Sequence, residues 1–289
     1  MLGAARSTLK DFVPGKLLEN YGTESTRMKA FYWICLVNSY GVTQLTFPTD
    51  RLIALSGVAR EVQKMLQTTY IAGMWKDHLP ECLLWQTYGD NHHAVTPKYV
   101  APSWSWASAA RSIVQPDYTN AVVWPSVRPC ATVLDVGVTL ANSDDPFGQV
   151  TDGYLRMQGK LGVMKWSGAP EEPFYALVQI AGADLNVLDF STTLQPHESV
   201  QRRDLSAYIH VDDASADIGE GWQAYFLPIQ LQNWDKLIHQ DDPKREGIIG
   251  LLLAYLPCGN FKRLGIADIR VERFIETFDS LTDGDITII

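Results

Sequence analysis

The stretch "GYLRMQGKLGVMKW" (153–166) alternates along its length, with Leu155 and Met157 two apart and Arg156 and Gln158 between and beyond them. A period of two sends one set of side chains to one face and the other set to the opposite face, which reads as a strand. Short runs of the same kind follow downstream. "PFYALVQI" (173–180), "LNVLDF" (185–190), "LSAYIHVDD" (205–213), "QAYFLPIQL" (223–231), "GIIGLLLAYL" (247–256), "NFKRLGIADI" (260–269) and the closing "GDITII" (284–289) are bounded by Gly, Pro, Asp or Asn. Polar loops are expected at 141–153, 191–204 and 240–246. Many short strands at this spacing predict an antiparallel sandwich or barrel.

The change to this pattern begins at "YVAPSWSWAS" (99–108). Pro102 biases Ala101 away from the helical region, so an extended segment is expected, with Trp104 and Trp106 on one side and Ser103 and Ser105 on the other. Such a two-indole wall suits either a packed core or the lining of a ligand cavity, since small-molecule pockets are also mostly apolar and aromatic.

Upstream the periodicity is helical. "STRMKAFYWICLVNSYG" (25–41) places Met28, Phe31, Ile34, Cys35 and Val37 along one face and stops at Gly41. "FPTDRLIALSGVAREVQKMLQTTY" (47–70) carries a stripe of Leu52, Leu55, Val58, Val62, Met65 and Leu66, with Thr49 or Asp50 as the expected cap. A third, short helix is expected over "LPECLLWQTY" (79–88), and the turn-forming "GDNHHAVTPK" (89–98) ends the helical part. The expected architecture is therefore α+β: N-terminal helices packed on a mostly antiparallel β-sandwich or barrel. It forms a single domain over 1–289, helical to about residue 98 and β-rich from about residue 99.

Composition narrows the function classes. A formal net charge of -9 over 289 residues, with no Lys/Arg run, argues against a nucleic-acid partner. The longest strongly apolar run, "IIGLLLAYL" (248–256), is far below the roughly 20 residues of a bilayer span and reads as a buried strand. Cys35, Cys82, Cys130 and Cys258 form no CxxC pair, and no secretory core opens the chain, which together predict reduced thiols in a cytoplasmic protein.

Chemistry-bearing motifs are sparse. GxGxxG after a strand, GxxxxGK[ST], GxSxG and HExxH are all missing, so no cofactor and no metal is expected. His92 and His93 are adjacent and lack partners at ligand spacing. The Asp pairs starting at Asp144, Asp212 and Asp241 read as solvated loop residues, and Ser56 beside Gly57 as helix packing.

Several stretches together carry a family resemblance: "LTFPTDRLIALSGVA" (45–59), "YIAGMW" (70–75), "LLW" (83–85), "YVAPSWSWAS" (99–108), "DPFGQVTDGYLRMQGKL" (145–161) and "GNFKRLGIADI" (259–269). In this order they resemble the region that follows the HET domain in fungal heterokaryon-incompatibility proteins, over most of residues 28–270. The chain has no stretch like the "SYCWG" or "WIDALCINQ" blocks of the TIR-like HET domain itself, so the resemblance does not imply that domain's activity.

Two functions are expected from different classes. One is a cofactor-independent cyclase or isomerase of an apolar fungal secondary metabolite, a terpenoid or polyketide, with intramolecular Diels–Alder cycloaddition as its most concrete form. Holding a flexible substrate in a near-attack fold can supply about 7–11 kcal/mol, and one hydrogen-bond donor adds to that. In this reading Trp75, Trp85, Trp104 and Trp106 bind the apolar small-molecule substrate, and His92, His93 or Tyr99 supplies the donor. The other is a non-enzymatic, HET-related interaction module in self/non-self recognition, which calls for an exposed apolar patch in place of an enclosed cavity.

Overall fold

A computed structural model describes residues 26–41, 45, 47–88, 99–109, 112–114, 128–168, 175–180, 183–189, 207–212, 223–233, 246–269, 278 and 281–289. The alternating stretch lies inside one long strand, β7 (Val150–Gly168), where Leu155 and Met157 are buried while Tyr154, Arg156 and Gln158 are exposed. β6 (Ala131–Leu140) precedes it as an antiparallel hairpin partner, and β5 (Arg128–Pro129) precedes β6. β8 (Tyr175–Ile180), β9 (Ala183–Asp189), β10 (Ala207–Val211), β11 (Gln223–Asn233), β12 (Glu246–Tyr255), β13 (Phe261–Ile269) and β14 (Thr282–Ile288) complete a sheet of ten strands among the described residues. β9–β10 and β13–β14 pair in parallel, and the other pairings in the sheet are antiparallel.

Hydrogen bonding follows β7, β8, β9, β10, β13, β12 and β11 and returns to β7, so the sheet closes on itself as a barrel. Closure explains the uninterrupted apolar run of β12, because a strand buried on both faces has no polar side to alternate with. Phe226, Ile248, Leu252, Ala267 and Ile269, together with Met164 of β7 and Ile209 and Val211 of β10, are buried on the face that the ring encloses. Leu227, Ile249, Leu251 and Ile266 point the other way, into a second core shared with Leu155, Met157, Ile286 and Ile288 and with the N-terminal elements.

Those N-terminal elements are α1 (Thr26–Gly41), α2 (Ser56–Leu66) and the single-turn α3 (Leu79–Cys82), which lay Trp33, Val37, Ala59, Val62, Leu66 and Leu79 on the second core. α1 matches its expected span. The second helix is shorter than its apolar stripe suggests: 3-10 turns at Pro48–Asp50 and Ile53–Leu55 lead into α2, whose cap position is Leu55 without a side-chain hydrogen bond. The third gives way within the expected segment to β3 (Gln86–Tyr88), which pairs with β4 (Ser112–Val114). A small hairpin, β1 (Tyr70–Ile71) and β2 (Met74–Trp75), also lies within the part expected to be helical. The expected loop at 141–153 is cut short by β7, which pairs with β6 from Val150 onward, and Glu246, the last residue of the expected loop at 240–246, opens β12; residues 240–245, the expected loop at 191–204 and the turn at 89–98 lie outside the described residues.

Candidate functional site: a sealed aromatic seam and an open cleft

The β1–β2 hairpin turns on Ala72 (φ +42°) and Gly73 (φ +91°), both in the left-handed region that a two-residue type I′ loop requires. This turn sits in the interior, and its carbonyls act as acceptors for the surrounding aromatic residues. Gly73 O receives the indole N–H of Trp33 at 3.0 Å and of Trp106 at 2.8 Å, and Ala72 O receives the Ser105 hydroxyl at 2.6 Å. A side chain at position 73 would put Cβ 2.6 Å from Trp106 Nε1, so the approach of that indole needs glycine.

Residues 101–108 are not extended, and here the structure departs from the expected wall. Ser105 N–H donates to Pro102 O at 2.9 Å, closing a turn, and a 3-10 turn follows at Trp106–Ser108 with the Ser105 hydroxyl accepting from Ala107 N–H at 3.0 Å. Ser103 and Ser105 do not form an outer face. Ser105 is fully buried, and the Ser103 hydroxyl donates to Ile289 O and accepts from Arg263 N–H at 3.1 Å. The physical reason is that the Ser105 and Ser108 hydroxyls satisfy the backbone of a tight turn within an apolar core, an alternative to strand pairing open to Ser, while the Ser103 hydroxyl ties the turn to Ile289 and Arg263.

The indoles therefore part company. Trp106 reaches back to the β1–β2 turn, while Trp104 offers its carbonyl to the Trp85 indole N–H at 3.0 Å. Trp75 meets Trp33 and Tyr70 with ring centroids 5.2 Å apart in both pairs, and Tyr70 continues to Phe147 at 5.0 Å. Trp75 and Trp104 are 0 % exposed, Trp85 and Trp106 1 %, so their rings are closed off from solvent. Among the described residues the indole N–H groups of Trp75 and Trp104 have no hydrogen-bond partner, and burial pushes the Tyr70 phenol well above its ordinary pKa.

Strand β13 fixes this seam to the barrel through Arg263, whose side chain is fully buried. Its guanidinium pairs with Asp212 at 2.7 Å, donates to the carbonyls of Leu83 and Trp85, and stacks 3.6 Å from the Trp85 ring. Burial lowers the Arg263 pKa and Asp212 opposes that shift. Beside it, Thr87 N–H donates to His210 Nε2 at 3.1 Å, a second tie between β3 and the barrel. Gly153 completes the seam, since a Cβ there would lie 2.5 Å from the Pro102 ring. The sequence pattern missed Trp33, Arg263 and the Thr87–His210 pair. An isolated arginine in "NFKRLGIADI" looks like any solvated strand residue until its register partner, the buried Leu253, is known.

Of the seven candidate site residues, Trp75, Trp85, Trp104 and Trp106 thus lie inside the packed seam, and His92 and His93 lie outside the described residues. Among the described candidates Tyr99 alone lines an open space. It borders a cleft of about 230 Å³ where Thr49 faces the start of β7, with Val100, Gln149, Val150 and Thr151 around it. Tyr99 is 49 % exposed, and burial of its hydroxyl, reinforced by nearby Asp152, has its pKa pushed up to about 12. Elsewhere on the sheet, Val163, the half-buried Tyr225, Tyr255 and the buried Phe261 share one face by register, with ring centroids 5.3–6.2 Å apart among the three aromatics. Tyr255 is 57 % exposed and Val163 37 %.

Comparison with family models, curated proteins and solved structures finds no match to the chain. Among the described residues no helix is long and apolar enough to cross a membrane.

Proposed function

We propose that the chain is a non-enzymatic interaction module, related to the region that trails the HET domain in fungal heterokaryon-incompatibility proteins and acting in the cytoplasm on a protein partner. One observation carries this reading: the indoles of Trp33, Trp75, Trp85, Trp104 and Trp106 are sealed in packing, whereas Tyr255 and Val163, beside the half-buried Tyr225 and the buried Phe261, are open to solvent. Tyrosine presents a large, stiff, amphipathic surface at low entropic cost, which is why it is enriched at recognition surfaces. A metabolite cyclase would need solvent-reachable apolar volume beside the indoles, and their 0–1 % exposure offers none to support it.

The test is site-specific photocrosslinking in the host cell, with a benzoylphenylalanine at position 255 and, as a control, at position 134, where Leu134 is 42 % exposed on β6. A discrete protein adduct from position 255, lost when Tyr225→Ser is added and not formed from position 134, is the expected result. Indistinguishable adducts from the two positions would overturn it. So would conversion of a metabolite in a host extract into an isomer of the same mass by the purified protein, which returns the cyclase reading.

A further inference from the structure

The cleft beside Tyr99 has a lining that neither the aromatic seam nor the Tyr255 patch uses. Among the described residues none of the lining side chains carries a charge, and Asp152 is the charged group near Tyr99. The Gln149 amide N–H donates to Thr49 O at 3.3 Å, which orients the carboxamide and leaves its oxygen as an acceptor; the Thr151 hydroxyl donates to Thr139 O at 3.3 Å and keeps its lone pairs. Tyr99 adds a half-exposed ring face and a hydroxyl that stays protonated across the physiological range. Val100 and Val150 supply the apolar remainder.

We infer that this cleft binds a single neutral pyranose ring. Hydroxyl groups around a compact ring match a lining of uncharged acceptors and one phenol donor, while the ring's C–H face packs on an aromatic plane. An anion would enter against the nearby Asp152 with no countercharge on the lining, and a cation would find no charged partner on the lining itself, which is costly where solvent is partly excluded. At about 230 Å³ the cleft lies below the range of pockets that take drug-sized apolar molecules, and one sugar ring fits it. This inference goes beyond the interaction module and involves none of its patch residues, so either can fail alone.

The experiment titrates the isotope-labelled full chain with methyl α-D-glucopyranoside, methyl α-D-mannopyranoside and methyl N-acetyl-β-D-glucosaminide, reading the Thr151 backbone amide, which every variant retains, by NMR. Glucuronate, glucosamine and farnesol serve as charged and apolar comparators. At least one neutral pyranoside is expected to shift that amide saturably with a millimolar dissociation constant, the affinity class of a ligand this small. Tyr99→Ala or Gln149→Leu then weakens binding at least tenfold with circular dichroism unchanged, and Leu134→Ala does not. If Tyr99→Ala fails to fold, Gln149→Leu alone decides. The inference is overturned if no pyranoside gives a saturable shift, if a charged or apolar comparator binds as well as the best pyranoside, or if the folded variants bind like the parent chain.

Discussion

Two tryptophans in one short turn do different work. Trp106 donates its indole N–H to Gly73 O, whereas the Trp104 N–H is buried with no acceptor among the described residues. A buried unpaired donor costs about 1–3 kcal/mol of desolvation, and a made hydrogen bond contributes about 1 kcal/mol net. Phenylalanine removes the N–H from either position and shrinks the ring by a similar volume. Trp106→Phe should therefore destabilise the fold more than Trp104→Phe, by at least about 1 kcal/mol in urea unfolding. Equal losses would mean that ring volume alone sets the cost at both sites. The sequence marks these residues as important and gives their spacing, but spacing reports shared orientation only on a regular element. Residues 101–108 are a turn held by serine hydroxyls, so the inference from i and i+2 had no strand to act on.

Among elements, strands with unbroken alternation were legible and interrupted ones were not. β7 to β14 overlap the runs read from the sequence, while β6 (Ala131–Leu140) went unread. Its pairing with β7 skips from Val133 to Asp135, leaving Leu134 bulged, so Ala131 and Val133 fall out of phase with Val136, Val138 and Leu140. The β1–β2 hairpin is too short for any period to show, and its turn residues, Ala72 and Gly73, are not the usual Asn-Gly pair. Tertiary demand supplies what local signal lacks, because the turn is shaped to receive two indoles and a serine. Gly73→Ala tests this at the level of the hairpin. The new methyl meets the Trp106 ring and forces alanine to hold φ near +91°, so a loss of about 2–4 kcal/mol is expected. The near-UV dichroism of the tryptophans should change while the far-UV spectrum stays the same. Loss below about 1 kcal/mol would show that the turn and indole shift apart freely.

At the scale of the molecule, the α+β class follows from the change in periodicity near residue 99, but closure of the sheet does not. Closure depends on β7 pairing with β11 and on β10 pairing with β13, contacts more than fifty residues apart that no local pattern encodes. The same is true of the joint between layers, where Arg263 on β13 reaches the backbone of residues 83–85 and Asp212 after β10. Replacing one member of a buried ion pair strands the other, so Arg263→Ala should cost about 3–5 kcal/mol. Arg263→Lys should recover little of that, because an ammonium cannot span two carbonyls and a carboxylate while lying flat on Trp85. If the residue is the pin between layers, native-state hydrogen exchange in Arg263→Ala will show amides of β1 to β3 opening well before those of β7 and β12. Uniform loss of protection across both layers would instead make Arg263 part of one indivisible core, with no separate joint to break.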